Sequence, residues 1–329
     1  MAPRTVTRDD LAAVAGAALG GGRRLEAVQR LAGGTSKGVY RLTMDDATTA
    51  IVYLWEASEN YWPARENDDD PADPFAAGVG LDLFEAAYAR LDSLGLRVPE
   101  VYVIDRSRTR YPADHVVLED FPGENLMDRL ARDPVAAEPT MAQLAEGLAA
   151  MRAHRARAYG KVAVIDGGGA SHWPTCEQAA LDFALRCLAE AAGRDRRIAD
   201  ARDRLEERLR ELAAAVRPRS EYAVVHGELG LDHVLVDRDG RPVLIDVEDL
   251  LYFDVEWEHV FLRIRLGRDY PRLAVDGLDE DRLALYMLTQ RLSLTAGPLR
   301  LLDTDFPDRA FMAHIAEHNL TEALALLPR

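Results

Sequence analysis

Residues 224–249, VVHGELGLDHVLVDRDGRPVLIDVED, constrain this chain more than any other stretch. The apolar run at 222–225 predicts a strand that leads into a polar loop. Val234-Leu-Val-Asp and Pro242-Val-Leu-Ile then read as two strands joined by the Asp239-Gly240 turn, the dipeptide that tight hairpins favour. His226, Gly227 and Glu228 stand at one mouth of this hairpin and Asp246 at the other. Such a hairpin sets a proton-accepting carboxylate beside a metal-binding one.

The same residues resemble the aminoglycoside phosphotransferase family, small-molecule kinases with a protein-kinase-like fold. That family's loop runs roughly His-Gly-Asp-Leu-His-x-x-Asn-Val-Leu and is followed by Ile-Asp-[Trp/Phe]-Glu. The framework residues His226, Gly227, Leu229, Val234, Leu235, Ile245, Asp246 and Glu248 match it. Two positions depart: the family's catalytic aspartate falls on Glu228, and its metal-binding asparagine falls on His233. The resemblance implies an α+β, bilobal protein-kinase-like fold. Its small N-terminal antiparallel sheet lobe, residues 1–122, would bind nucleotide. Its larger, mostly helical C-terminal lobe, residues 123–329, would carry catalysis and substrate. ATP or GTP as co-substrate, Mg²⁺ as cofactor and a hydroxyl-bearing small molecule as acceptor follow from the same resemblance.

Composition sets the outer limits. A chain of 329 residues can build two lobes with sizeable cores. No apolar run approaches the ~20 residues of a membrane helix. Residues 1–16 lack the basic start and long apolar core of a signal peptide, so the expected location is the cytoplasm. Two cysteines, Cys176 and Cys187, are too few for a disulfide framework or a zinc site. The net charge of -16 argues against nucleic acid as a partner. Most of these carboxylates are expected on solvated helix faces, although an acidic balance also suits a cationic substrate. The cations are nearly all arginine, and only Lys37 and Lys161 are lysines, which reads as genome composition.

Along the chain, residues 8–20 predict an amphipathic helix. Strands follow at 25–31, 39–44 and 48–55, with a glycine turn, GGTSKG, at 33–38. Glycines in such a turn let backbone N–H groups approach a phosphate, which makes Gly34, Thr35, Ser36 and Lys37 nucleotide-binding candidates; ordinary hairpins also use Gly-Gly. Kinase-like folds carry a lysine on the third strand, paired with a glutamate from the next helix. Here Tyr53 takes the lysine's place, and Glu85, on a helix at 80–94, takes the glutamate's. A buried Glu85 would need a cation, for which Arg41 and Lys37 are candidates; the other reading is a solvated helix residue. Residues 56–78 predict a long loop near the nucleotide mouth, which Tyr61 and Trp62 tack down in preference to covering a ligand.

Residues 97–105 and 115–123 predict the last two strands of the sheet. The second runs into a hinge that would meet the adenine, so Glu119 and Phe121 join the nucleotide candidates, and Pro122-Gly123 marks the lobe boundary. Helices are predicted at 126–132, at 140–154 with Thr140 as its cap, at 176–192 and at 196–216, with C-terminal helices from 253 to 327. Asp232, His172, Trp173 and Glu256 are the substrate-pocket candidates, with Glu258 beside them.

Phosphoryl transfer asks a protein for metal ligands, a positioned acceptor and a carboxylate to orient it. Glu228 and Asp246 form the candidate catalytic pair, with Asp246 the leading metal ligand. The extra methylene of Glu228 shifts its carboxylate by about 1 Å, a misplacement that costs about a hundredfold unless the pocket has adjusted. His233 offers a ring nitrogen as a second metal ligand, although Mg²⁺ prefers oxygen. His226 is expected to brace the loop. Two readings stay open. One is an O-phosphotransferase acting on an antibiotic or metabolite, of aminoglycoside, nucleoside or peptide type. The other is a pseudokinase-like binding or regulatory protein, favoured by the missing third-strand lysine, Glu228 and His233.

Overall fold

The computed structural model describes residues 6–32, 34–63 and 70–328; Gly33 of the glycine turn and residues 64–69 of the long loop lie outside them. Helix α1 (Arg8–Leu19) starts at a capping box in which Thr7 Oγ1 accepts from Asp10 N and the Asp10 carboxylate accepts from Thr7 N. Strands β1 (Leu25–Arg30), β2 (Gly38–Met44), β3 (Thr49–Trp55), β4 (Val101–Asp105) and β5 (Asp114–Glu119) form one antiparallel sheet in the order β1-β2-β3-β5-β4. Helix α2 (Leu81–Ser93) lies between β3 and β4 in sequence.

Strand periodicity divides the faces of this sheet. Val52 and Leu54 of β3 and Val117 of β5 pack with Leu11 and Val14 of α1 in a small core. Full burial of each of those two helix side chains contributes about 2 kcal/mol. Tyr53, Val116 and Leu118 point the other way and join Phe84 and Leu91 of α2 in the main core. That core runs on into the C-terminal helices, so Tyr53 is directed toward the catalytic stretch.

Beyond Glu119 the chain is mostly helical: α3 (Leu126–Arg132), α4 (Pro134–Ala153), α5 (Val162–Asp166), α6 (Cys176–Ala192), α7 (Arg196–Ala215), α8 (Val255–Leu266), α9 (Glu280–Leu301) and α10 (Arg309–Ala325). Among these helices run the short strands β6 (Arg155–Ala156), β7 (Gly160–Lys161), β8 (Tyr222–Val225), β9 (Val234–Val236), β10 (Pro242–Leu244) and β11 (Leu251–Phe253). The predicted hairpin is β9–β10, with Val234 opposite Leu244 and Gly240 at φ 78° in its turn. A second antiparallel sheet has the order β6-β8-β11-β7. No described helix is long and apolar enough to cross a membrane.

Helix α4 begins six residues earlier than the sequence suggested. Asp133 caps it and Pro134 occupies its first turn, a position where the missing N–H costs nothing. Thr140 is therefore buried inside the helix, and its hydroxyl donates to Gly240 O at 2.7 Å, clamping the hairpin turn. The strand expected at 97–105 begins only at Val101.

Candidate active site

Register in the second sheet assembles the site. Leu251 pairs with both Val225 and Lys161, so the loop leaving β8, the residues entering β11 and the end of β7 share one edge. Gly227 lies at φ 91°, and a Cβ there would meet Asp249 O at 3.1 Å. Only glycine allows that approach. Asp246, although not glycine, is held at φ 58°, a left-handed conformation costing about 1–3 kcal/mol that tends to cluster at functional sites.

The loop that leaves β8 is fixed from behind. Glu258 Oε2, on α8, accepts from His226 N and Gly227 N, and dehydration of this buried carboxyl pushes its pKa up to about 7. His226 Nε2 lies 3.1 Å from Ile245 O; a carbonyl only accepts, so Nε2 carries the proton. Burial lowers the His226 pKa to about 4, which keeps the ring neutral. His226 thus holds the loop to the hairpin.

Both lysines of the chain reach this site. Lys37 Nζ donates to Asp246 Oδ1 at 2.7 Å and lies 2.7 Å from Glu248 Oε1, with its ammonium 5.0 Å from the centre of the Tyr53 ring. Burial works against the charge on Lys37, but Asp246 and Glu248 together outweigh it and hold the ammonium protonated. Lys37 in turn holds the Asp246 carboxyl well below the usual carboxylate range, while burial raises that of Glu248. Lys161 Nζ pairs with Asp249 Oδ1 at 2.9 Å. The third strand carries no lysine, and the glycine turn places one over the ring of Tyr53.

Glu228 opens into the cleft, and among the described residues no basic side chain pairs with it. Dehydration raises its pKa, and the neighbouring Asp249 and Asp246 charges raise it further. The cleft itself has a volume of about 350 Å³ and runs from Thr35 and Ser36, past Glu228 and Asp246, to Phe183, Trp257 and Gln290. Among the described residues, no cluster of three or more His, Cys, Asp or Glu side chains is arranged to hold a metal ion by itself.

The sequence profile of the phosphotransferase enzyme family matches residues 27–293. The chain belongs to that family. Its fold is that of solved aminoglycoside kinases. A thermostable mutant of aminoglycoside phosphotransferase APH(4)-Ia superposes with a TM-score of 0.60 at 17% identity, over 91% of this chain and 95% of that one. The GDP and kanamycin complex of APH(2")-IIIa gives 0.58 at 19% identity, over 91% and 94%. LicA in complex with AMP gives 0.59 at 12% identity, over 92% and 93%. No curated protein matches the sequence.

The structure brings some of the candidate residues together in this phosphotransferase and separates others. Thr35, Ser36, Glu228 and Asp246 line the cleft, with Lys37 and Tyr53 directly behind Asp246. A Cβ on Gly34 would lie 2.6 Å from Lys37 O, so this glycine keeps the turn tight. His233 Nδ1 lies 3.1 Å from Glu228 O and so donates to it, and its Nε2 lies 3.9 Å from Asp246 Oδ2. Glu119 pairs with Arg97 at 3.0 Å, and the Arg97 guanidinium lies 5.5 Å from the Phe121 ring centre, which orders the hinge.

Glu85 is not at the site. It reaches Arg106 on the surface together with Asp82, and Arg41 pairs instead with Asp120 at 2.7 Å. Glu256 is also misplaced by the sequence reading: it is buried against Arg219 at 2.6 Å and accepts from Asp279 N, away from the cleft. Asp232 is tied to Arg265 at 2.6 Å. His172 pairs with Asp70 at 2.8 Å, and Trp173 lies against Arg186, so both support the loop that walls the cleft without lining it. Tyr61 and Trp62 do tack down the long loop. Trp62 Nε1 donates to Thr35 Oγ1 at 3.1 Å, and Tyr61 meets Phe306 edge-on.

Sequence reasoning missed Asp249 and Lys161, Gln290, and the aromatic wall of Phe75 and Phe183. One signal was available. Two lysines among forty basic residues both end at one site.

Proposed function

We propose that this phosphotransferase transfers the γ-phosphoryl group of ATP or GTP to a hydroxyl of a small molecule, in the cytoplasm and with Mg²⁺. The observation that carries the reading is Lys37, whose ammonium bridges Asp246 and Glu248 at the cleft's phosphate end. A decayed site would have no reason to supply a lysine from elsewhere once the third strand had lost its own. Lys37 would pair with the nucleotide phosphates, and Thr35 and Ser36 flank their path.

Asp246 and Glu248 already converge on one cationic centre, which is the charge and oxygen chemistry that Mg²⁺ requires. Asp246 would hold the ion, with His233 Nε2 a poorer ligand than the family's asparagine oxygen. Bound Mg²⁺ supplies charge neutralisation and alignment of the phosphates. Glu228 takes the proton of the acceptor hydroxyl. The new bond joins that oxygen to the γ-phosphorus, and the bond from the γ-phosphorus to the β,γ-bridging oxygen breaks, with the nucleoside diphosphate leaving as the electron-pair acceptor.

Thermal unfolding with ATP or GTP, with and without Mg²⁺, tests the reading. At a hundred times the dissociation constant, binding stabilises the native state by about 2.7 kcal/mol. The expected result is a Mg²⁺-dependent shift, followed by mass-spectrometric detection of a phosphorylated alcohol from a panel that includes antibiotics. His233 in the asparagine's place favours the pseudokinase alternative. A shift indifferent to Mg²⁺, with no phosphorylated product, would establish that alternative.

A further inference from the structure

The described cations at the cleft are committed to its own carboxylates. Among the described residues five carboxylates line it: Glu190, Glu228, Asp246, Glu248 and Asp249. Arg300 lies 3.2 Å from Glu190, Lys37 2.7 Å from both Asp246 and Glu248, and Lys161 2.9 Å from Asp249. Of the five, Glu228 alone has no basic partner among the described residues, so a guest carrying several positive charges would have to displace protein cations to pair with more than one of them.

The far half of the cleft is apolar and aromatic. Phe75 and Phe183 stack with centroids 4.4 Å apart, and Trp257 packs against Phe75 at 4.9 Å. Leu294, Met312 and Ile315 extend this wall. Gln290 interrupts it. Gln290 Nε2 donates to Trp257 O at 2.9 Å, which fixes the amide so that Oε1 is left buried and without a hydrogen-bond partner among the described residues. An acceptor held that way selects for a donor on the guest.

Resting on the phosphotransferase reading, we infer that the acceptor is a compact, ring-bearing alcohol with little or no positive charge. Its rings seat on the Phe75–Phe183 wall, a second donor meets Gln290 Oε1, and its reacting hydroxyl reaches Glu228. A polycationic aminosugar would find one unpaired carboxylate among the described residues, Glu228, for its several charges. The volume, about 350 Å³, lies at the small end for ligand sites.

Isothermal titration calorimetry of the full chain without nucleotide tests the inference, using 2-naphthylmethanol as a neutral two-ring alcohol and kanamycin as the polycationic comparison. The naphthyl alcohol is expected to bind saturably and kanamycin not to. Phe183→Ala should weaken the alcohol by about tenfold. If that variant fails to fold, Phe75→Leu replaces it, with a smaller loss in the same direction. Gln290→Leu should leave the naphthyl probe nearly unaffected but abolish the preference for an analogue carrying a second hydroxyl. Saturable kanamycin binding, or no saturable binding of the alcohol, overturns the inference, as does alcohol binding indifferent to every substitution. The two readings fail separately. Alcohol binding without a Mg²⁺–nucleotide shift supports the ligand class and removes the phosphotransfer reading. A nucleotide shift without alcohol binding does the reverse.

Discussion

Lys37 Nζ and Asp246 Oδ1 lie 2.7 Å apart although 209 positions separate them in the chain. One end of this contact is the tip of the glycine turn, and the other is the strained residue that closes the hairpin loop. The turn that would meet phosphate is thereby tied to the carboxylate that would hold metal. A ligand that draws Lys37 away must compensate Asp246 and Glu248 with another cation. Binding of a polyanionic nucleotide and of a divalent ion are therefore expected to be mutually supportive.

Lys37→Met is expected to abolish the Mg²⁺–nucleotide thermal shift. It also leaves Glu248 buried without a cation, at a cost of about 3 kcal/mol. The two effects separate: Lys37→Met with Glu248→Gln should recover most of the melting temperature but not the shift. Lys37→Met with Tyr53→Lys moves the ammonium back to the third strand and should restore part of the shift. Differential scanning fluorimetry of the four proteins decides it.

Glu228→Gln is expected to reduce transfer by about 10²–10⁴-fold while leaving the nucleotide shift unchanged, because the group lost acts on the acceptor's proton. Only the ionised carboxylate can take that proton, so kcat/KM rises with pH through the Glu228 pKa. Dehydration and the Asp249 and Asp246 charges raise that pKa. The acid limb of the wild-type pH–rate profile should accordingly lie above the ordinary carboxylate range. A limb at the usual position would assign the base elsewhere.

Much of this was legible from the residues alone, for identifiable reasons. Helix 176–192 and strand 222–225 come out at the predicted boundaries because Thr175 caps the one and an unbroken apolar run makes the other. The hairpin follows from its Asp-Gly turn. Strand β11 was hidden because three buried residues, Leu251–Phe253, run directly into a helix and leave no period to read. Thr140 looked like a cap because a cap and a buried hydroxyl clamp use the same residue type. Glu85 was assigned by position along a motif, whereas Arg106, which it reaches, lies beyond the following loop. Lys37 reaches Tyr53 and Asp246 through tertiary geometry, which no local pattern encodes.

Thr140→Val should lower stability by about 1 kcal/mol, since it removes one hydrogen bond and leaves Gly240 O to water. The loss should appear first in the hairpin turn. Hydrogen exchange of the amides in 237–241 is expected to accelerate more than that of α4, whose own backbone bonds are untouched.

The last expectation concerns Glu258, which anchors the catalytic loop from α8. Its pKa rises from 4.5 unfolded to about 7 folded, so between these values the folded chain holds a proton that the unfolded chain has released. Stability from this group is then present at low pH and lost as pH rises through that window, by about 3 kcal/mol at most. His226 and His259 act in the opposite sense. Both are lowered from 6.5 to about 4 by burial, so their neutral folded forms gain stability as pH rises from about 4 to 6.5. Glu258→Gln keeps an oxygen for His226 N and Gly227 N but removes the titration. Relative to wild type, the variant should therefore look worst at pH 5 and improve by pH 8, with the histidine contribution common to both proteins. Melting temperatures of the pair at the two pH values measure this difference, and a gap that stays constant with pH would mean that Glu258 is ionised in the folded protein throughout.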